Sequence, residues 1–262
     1  MHNNLDKLNF LNTSDGEKIA YKMSEGFGPT LIWCGGLKSD MEGGKAVHLH
    51  AWAKHRGQAF IRFDYFGHGE SSGEFIEGTM SRWASDVDFV RKKLANEPVI
   101  LIGSSMGGWA SLLAALESPN QVKGLVLINP APDFTEKLIV AGWTEEQIKA
   151  LENDGVVYEP SGYEEPYAYS RALIKDGRKR QILDAPIPLS CPIRILQGYE
   201  DNVVPWTYSK QLLDQLESDD VTYNLIKGGD HSLSRLADLK LIETAIAPVS
   251  YTHLTLPTIL LV

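Results

Sequence analysis

Short apolar runs alternate with longer amphipathic stretches along most of this chain. The runs at 30–34 (TLIWC), 59–64 (AFIRFD), 98–103 (PVILIG), 122–128 (VKGLVLI), 192–196 (PIRIL) and 221–226 (VTYNLI) read as strands. Residues 79–95 place Trp83, Val87, Val90 and Leu94 at three- to four-residue spacing, the period of a helix with one buried face. Residues 106–116 are small and apolar, which predicts a helix packed closely on a sheet. Helices are also expected at 46–55, 206–216 and 233–247. Strands joined by helices imply an α/β protein with a mostly parallel sheet covered on both faces, because a parallel crossover needs an intervening helix. The first two strands, near 5–12 and 18–24, are joined by Ser14-Asp15-Gly16, a turn that suggests an antiparallel hairpin at one edge.

The alternation breaks between 133 and 190. This stretch carries Trp143, Tyr158, Tyr163, Tyr167 and Tyr169 among prolines and charges. It has helix-like pieces at 144–152 and 167–176 but no clear strand. It reads as a small helical lid inserted into a single domain that spans the chain, 1–262. Residues 248–262 (PVSYTHLTLPTILLV) lack acidic and basic side chains and do not continue the preceding helical pattern. They resemble a translated sequencing adaptor, so a non-native tail is expected there, and His253 is set aside with it.

Composition narrows the function. The formal net charge of −9 repels phosphate backbones, so a nucleic-acid partner is not expected, and an anionic membrane surface is not attracted either. No secretory leader and no apolar run of about 18 residues is visible, so a cytoplasmic protein without integral membrane association is expected. Cys34 and Cys191 show no zinc-like spacing and read as free thiols; no metal and no cofactor is expected. Composition leaves the oligomeric state open.

Gly103-Ser104-Ser105-Met106-Gly107 matches G-x-S-x-G, between a predicted strand and a predicted helix. A sharp strand-to-helix turn thrusts its middle residue out of the sheet, and small neighbours avoid clashes there. Ser105 is therefore the candidate nucleophile, and Ser104 reads as a packing residue or supporting hydroxyl. The helix start behind Ser105 presents free N–H groups and a positive dipole end, so Met106 N–H is a candidate oxyanion donor. A second donor is expected from the loop after 30–34, where Gly35-Gly36-Leu37-Lys38 points to Leu37 N–H, with Gly36 N–H the alternative.

A serine hydroxyl needs a base. His231, in Gly228-Gly229-Asp230-His231-Ser232, follows a strand and so lies at the carboxyl edge of the sheet, with Ser105. His48, His50 and His55 fall in a helix or near its end. His68, in the glycine-rich loop FDYFGHGES, is the rival; it reads as a residue that braces this loop. The base needs an orienting acid. Asp201, in GYEDNVVPW, follows a strand at the same edge, and Asp133 is the alternative position. Glu200 is expected to point elsewhere, and Asp230 to tune the base or cap the next helix. Cys34 ends an apolar strand and reads as a buried structural thiol.

The order Ser105, Asp201, His231 and the motifs around it resemble the α/β-hydrolase superfamily across roughly 18–246. IRFDYFGHGESSG, GSSMGGW, APIPLSCPIRILQGYEDNVVPW and GGDHSLSR together resemble its palmitoyl-protein thioesterase and acyl-glucuronide esterase branch, the abhydrolase domain-containing protein 10 type. The resemblance implies the α/β-hydrolase fold, a triad of Ser105, His231 and Asp201, no cofactor, and cleavage of carboxylic esters or thioesters of small molecules. The same triad serves peptidases, carbon–carbon-bond hydrolases and haloperoxidases. Dehalogenase and epoxide hydrolase chemistry is disfavoured, because those enzymes carry Asp at the elbow. A hydrolase-fold ligand-binding protein with slow turnover is the rival from another class.

Overall fold

Ten strands and seven α-helices are defined in the computed structural model, which describes residues 7–95, 98–161 and 166–250. The strands are β1 (Asn9–Asn12), β2 (Lys18–Ser24), β3 (Phe27–Cys34), β4 (Gln58–Phe63), β5 (Val99–Ser104), β6 (Val122–Ile128), β7 (Val156–Glu159), β8 (Tyr167–Ser170), β9 (Ile193–Gly198) and β10 (Val221–Ile226). The helices are α1 (Gly44–His55), α2 (Met80–Leu94), α3 (Met106–Glu117), α4 (Glu145–Asp154), α5 (Arg171–Lys179), α6 (Trp206–Gln215) and α7 (Leu236–Ser250). Eight strands make one sheet in the order β1-β2-β4-β3-β5-β6-β9-β10. The β1–β2 and β2–β4 pairs are antiparallel, and the rest are parallel. The mostly parallel sheet and its antiparallel edge hairpin are as the pattern implied; Leu5 and Asp6 of the expected first strand lie outside the described residues.

Alternating residues of the central strands feed two cores. Ile32, Ile61, Leu101, Leu125 and Ile195 face α2, α3 and α6 on one side. Leu31, Phe60, Ile100, Val126 and Leu196 face α1 and α7 on the other. All six residues of β5 are buried, the signature of a strand covered on both faces. The register pairs Cys34 with Gly103, Ser104 with Ile128, Ile128 with Leu196, and Gly198 with Ile226. Five parallel strands thus end level, and their following loops cluster along one edge.

Helix boundaries follow local chemistry. Thr79 Oγ1 accepts the Arg82 N–H to start α2, and Ser170 Oγ accepts the Leu173 N–H to start α5. Thr144 and Gln147 form a reciprocal capping box on α4, which ends at Gly155 in the left-handed region, φ 82°.

Two expectations are corrected between 133 and 250. The stretch 133–190 holds a two-stranded antiparallel sheet, β7 with β8, where no strand was expected; the first four residues of the helix expected at 167–176 belong to β8. Each strand is four residues long, too short to display a period, and the Ser170 cap delays the helix to Arg171. The stretch also shares the sheet's core through Leu151, Val157, Leu173 and Ile174. In addition, α7 runs to Ser250, beyond the break expected at 248, and Val249 is buried against Gly124. Tyr163 and residues 251–262, including His253, lie outside the described residues. No helix among the described residues is long and apolar enough to cross a membrane.

Candidate active site

Ser105 sits between β5 and α3 at φ 54° and ψ −120°, a left-handed conformation rare for a residue with a side chain. The strain is held in place by hydrogen bonds: Ser105 N–H donates to Ile128 O at 2.9 Å, and Ser105 O accepts from Gly108 N–H at 2.9 Å and Ala131 N–H at 3.1 Å. Gly103 and Gly107 make the turn possible. A Cβ on Gly103 would lie 2.5 Å from Gly107 O, and one on Gly107 would lie 2.1 Å from Cys34 O.

Around this turn the structure brings together Ser105, His231 and Asp201. His231 Nε2 lies 3.2 Å from Ser105 Oγ, and His231 Nδ1 lies 2.7 Å from Asp201 Oδ2. With Asp201 as the acceptor, Nδ1 carries the proton and Nε2 is left to accept from the serine. Asp201 is buried, and its other oxygen, Oδ1, accepts the Val203 and Val204 N–H groups at 2.8 Å each. These two amide donors fix the orientation of the carboxylate toward His231.

Asn129 is a residue that sequence reasoning missed. It is fully buried at the end of β6, with φ 44°. Its Nδ2 donates to Asp230 O at 3.1 Å and His231 O at 2.8 Å, and its Oδ1 accepts the Gly198 N–H at 2.8 Å. One side chain therefore ties the ends of β6 and β9 to the loop of His231. The available signal was a lone amide ending the apolar run GLVLIN. Asn129→Ala would strand one donor and two carbonyls in the interior. We expect it to cost about 2–4 kcal/mol of stability and to lower kcat about tenfold or more, through a displaced His231. Thermal melting and steady-state kinetics on the same sample check both effects.

The other candidates fall as follows. Leu37, in the loop after β3, lines the same cavity as Ser105, and Met106, the buried first residue of α3, follows Ser105 directly; neither N–H enters the loop and cap hydrogen bonds among the described residues. Asp133, the alternative acid, turns to the Ile182 and Leu183 N–H groups at 2.9 Å each, so it clamps the two ends of the 133–190 stretch. Asp230 Oδ1 accepts the Leu233 N–H at 2.9 Å and caps the turn that follows. Burial pushes the Cys34 thiol up to about 12, so it stays protonated. Lys45 was not foreseen: its Nζ donates to Ser232 O beside His231, and burial lowers its pKa against the pull of Asp230 and Asp238.

Ser105 and His231 open onto a cavity of about 730 Å³. Tyr167 and Tyr169 of β8, stacked with ring centres 6.0 Å apart, line it together with Glu159 at the end of β7. Trp143 Nε1 and Gln147 Nε2 hold that Glu159 carboxylate at 2.6 and 3.2 Å.

Known proteins share this arrangement of the chain. A family model for serine aminopeptidases, S33, matches residues 32–158. The mouse palmitoyl-protein thioesterase ABHD10, mitochondrial, is 39% identical over 241 residues, covering 90% of this chain and 80% of the relative. The solved structure of alpha/beta hydrolase domain-containing protein 10 from mouse superposes with a TM-score of 0.85 at 37% identity, covering 93% of this chain and 98% of that one. A crystal structure from Agrobacterium vitis S4 gives 0.90 at 38% identity, covering 94% and 99%. With that likeness running through nearly its whole length, the chain belongs to the α/β hydrolases, in the ABHD10 branch, and is a hydrolase of the esterase and thioesterase type.

Proposed function

We propose that this enzyme cleaves carboxylic esters or thioesters through an acyl-enzyme on Ser105. The observation that carries this reading is the series Asp201–His231–Ser105, hydrogen-bonded at 2.7 and 3.2 Å and open to the cavity. His231 Nε2 removes the Ser105 proton as Oγ attacks the acyl carbon. The carbonyl becomes a tetrahedral oxyanion, held by Leu37 and Met106 N–H. Asp201 stabilises the imidazolium without taking its proton. The oxyanion then collapses, and the alcohol or thiol leaves with the proton from His231. Water, activated by the same imidazole, attacks the acyl-enzyme. The acid leaves and Ser105 regains its proton.

In this reading residues 133–190 act as a lid, with β7, β8 and the Trp143–Glu159 contact shaping the acyl side of the cavity. The mouse relative is named for palmitoyl-protein thioesters. Here Leu37, Pro160, Val203 and the rings of Tyr167 and Tyr169 supply apolar lining, interrupted by Lys45 and by the carboxylates of Glu159, Glu200 and Asp230. Each added methylene contributes about 0.8 kcal/mol only where it meets apolar surface. We therefore expect kcat/KM on p-nitrophenyl esters, acetate through palmitate, to peak at the short chains and fall toward palmitate. Palmitoyl thioester is run beside them, with Ser105→Ala as control. A maximum at palmitate would overturn the short-chain preference. Turnover surviving in Ser105→Ala would overturn the mechanism. A single stoichiometric burst with no further turnover would favour a binding protein instead.

A further inference from the structure

His68 stands outside the hydrogen-bonded series, yet its ring reaches the oxyanion loop. Lys38 N–H donates to His68 Nε2 at 3.1 Å. On the other side of the ring, His68 Nδ1 lies 3.1 Å from Phe66 O, which also receives the Trp83 Nε1–H at 3.1 Å. A carbonyl oxygen can only accept, so Nδ1 carries the proton and Nε2 offers its lone pair to Lys38. The ring is only 4% exposed and is packed edge-on by Tyr65, Phe75 and Trp83, with centroids 5.3–5.6 Å away.

Lys38 follows directly on Leu37 and takes φ 58°, a conformation that a lysine does not choose unaided. Its N–H is aimed at His68 by that turn, and the residue before it, Leu37, lines the cavity together with Ser105. The far end of the same loop is pinned as well: Asp64 Oδ1 accepts the Met41 N–H at 2.6 Å, while Oδ2 accepts the Glu70 N–H at 2.9 Å. Two side chains of the loop after β4 thus hold the loop after β3 at two points, Lys38 and Met41.

We propose that His68 is a positioning residue for the reaction: as a neutral acceptor it fixes the Lys38 turn and thereby aims the Leu37 N–H at the developing oxyanion. Burial, with the Lys38 charge facing the ring, pushes its pKa down to about 4, so the acceptor persists across the neutral range. The proposal rests on the reading of Leu37 as an oxyanion donor. It also assigns a task to the second histidine, which the base does not need.

Two variants separate the acceptor from the packing. His68→Phe keeps an aromatic ring among Tyr65, Phe75 and Trp83 but leaves Lys38 N–H unpaired. His68→Gln can present Oε1 to Lys38 and its amide N–H to Phe66 O. The readouts are kcat, KM, melting temperature and the affinity of a trifluoromethyl ketone, whose adduct with Ser105 carries the oxyanion. Complete loss of an oxyanion donor costs about 10²–10³ in kcat, and a displaced one less. We expect His68→Phe to lower kcat about tenfold to hundredfold with KM little changed. Inhibitor affinity should fall by the same factor, and His68→Gln should recover most of both. Wild-type kcat in folded His68→Phe would overturn the proposal. So would a kcat loss that Gln does not recover, or one that tracks loss of folded protein. If His68→Phe does not fold, His68→Gln decides: wild-type kcat and inhibitor affinity support the role, and lowered values at unchanged melting overturn it. Ser105→Ala in the same assay keeps the two ideas apart. If that variant is dead while His68→Phe is fully active, only the role of His68 fails; if it turns over, the underlying mechanism fails.

Discussion

Replacing Ser105 by alanine is expected to lower ester turnover by about 10⁴-fold or more and to abolish labelling by a fluorophosphonate probe. The reason is structural. Ser105 is the one hydroxyl within hydrogen-bond reach of His231 Nε2 among the described residues, and it sits on a turn fixed by backbone bonds that do not involve its side chain. Alanine keeps those backbone bonds, so the variant should fold and bind while losing the group that forms the acyl bond. Asp201→Asn makes the companion test. Its amide oxygen can still accept the Val203 and Val204 N–H groups, but the amide N–H now faces His231 Nδ1. The imidazole is then held in the wrong tautomer, and a loss of about 10⁴-fold is expected with little change in fold. Turnover by Ser105→Ala at the wild-type rate would show that the chemistry runs elsewhere.

Gly107→Ala should be nearly as damaging, against what helix propensity alone says. In the first turn of α3 a glycine-to-alanine change would ordinarily stabilise by up to about 1 kcal/mol. Here the added methyl would lie 2.1 Å from Cys34 O and 2.3 Å from Gly35 O, both backbone atoms of β3 and its loop. Neither side can yield by rotating a side chain, so α3 and the Gly35–Leu37 segment must separate. We expect a net destabilisation of about 2 kcal/mol or more, in the upper range for overpacking. A fall in kcat of about 10²-fold should accompany it, because the two sources of N–H donors are pushed apart. Melting temperature and kcat should fall together in this variant. In Ser105→Ala only kcat should fall. An unchanged melting temperature would mean that the helix can shift without cost and that the close approach is not required.

The centre of the sheet was legible because strands such as β5 and β6 are buried on both faces and read as unbroken apolar runs. The elbow was legible because one five-residue motif carries the turn, the small neighbours and the hydroxyl together. β7 and β8 were hidden because four-residue strands show no period, and their pairing joins residues on either side of an intervening loop. The end of α7 was misjudged for a different reason. Pro248 and the apolar residues after it look like a break, yet Val249 finds a place against Gly124 on a strand remote in sequence.

The sequence by itself determined the layer architecture, the edge on which the loops gather, and the chemical types available there: one serine on a turn, histidines after two strands and aspartates after two others. Each of these depends on local pattern and chain order. Only the tertiary structure decided which of them meet. It set His231 between Asp201 and Ser105, gave Asp133 to the Ile182 and Leu183 amides, and gave His68 to Lys38 N–H. It also revealed Asn129 as the brace of the His231 loop. These partnerships join residues about 30 to 126 positions apart. Hydrogen bonds need their atoms placed within a few tenths of an ångström. Sequence spacing carries no such information until the sheet has aligned its strand ends.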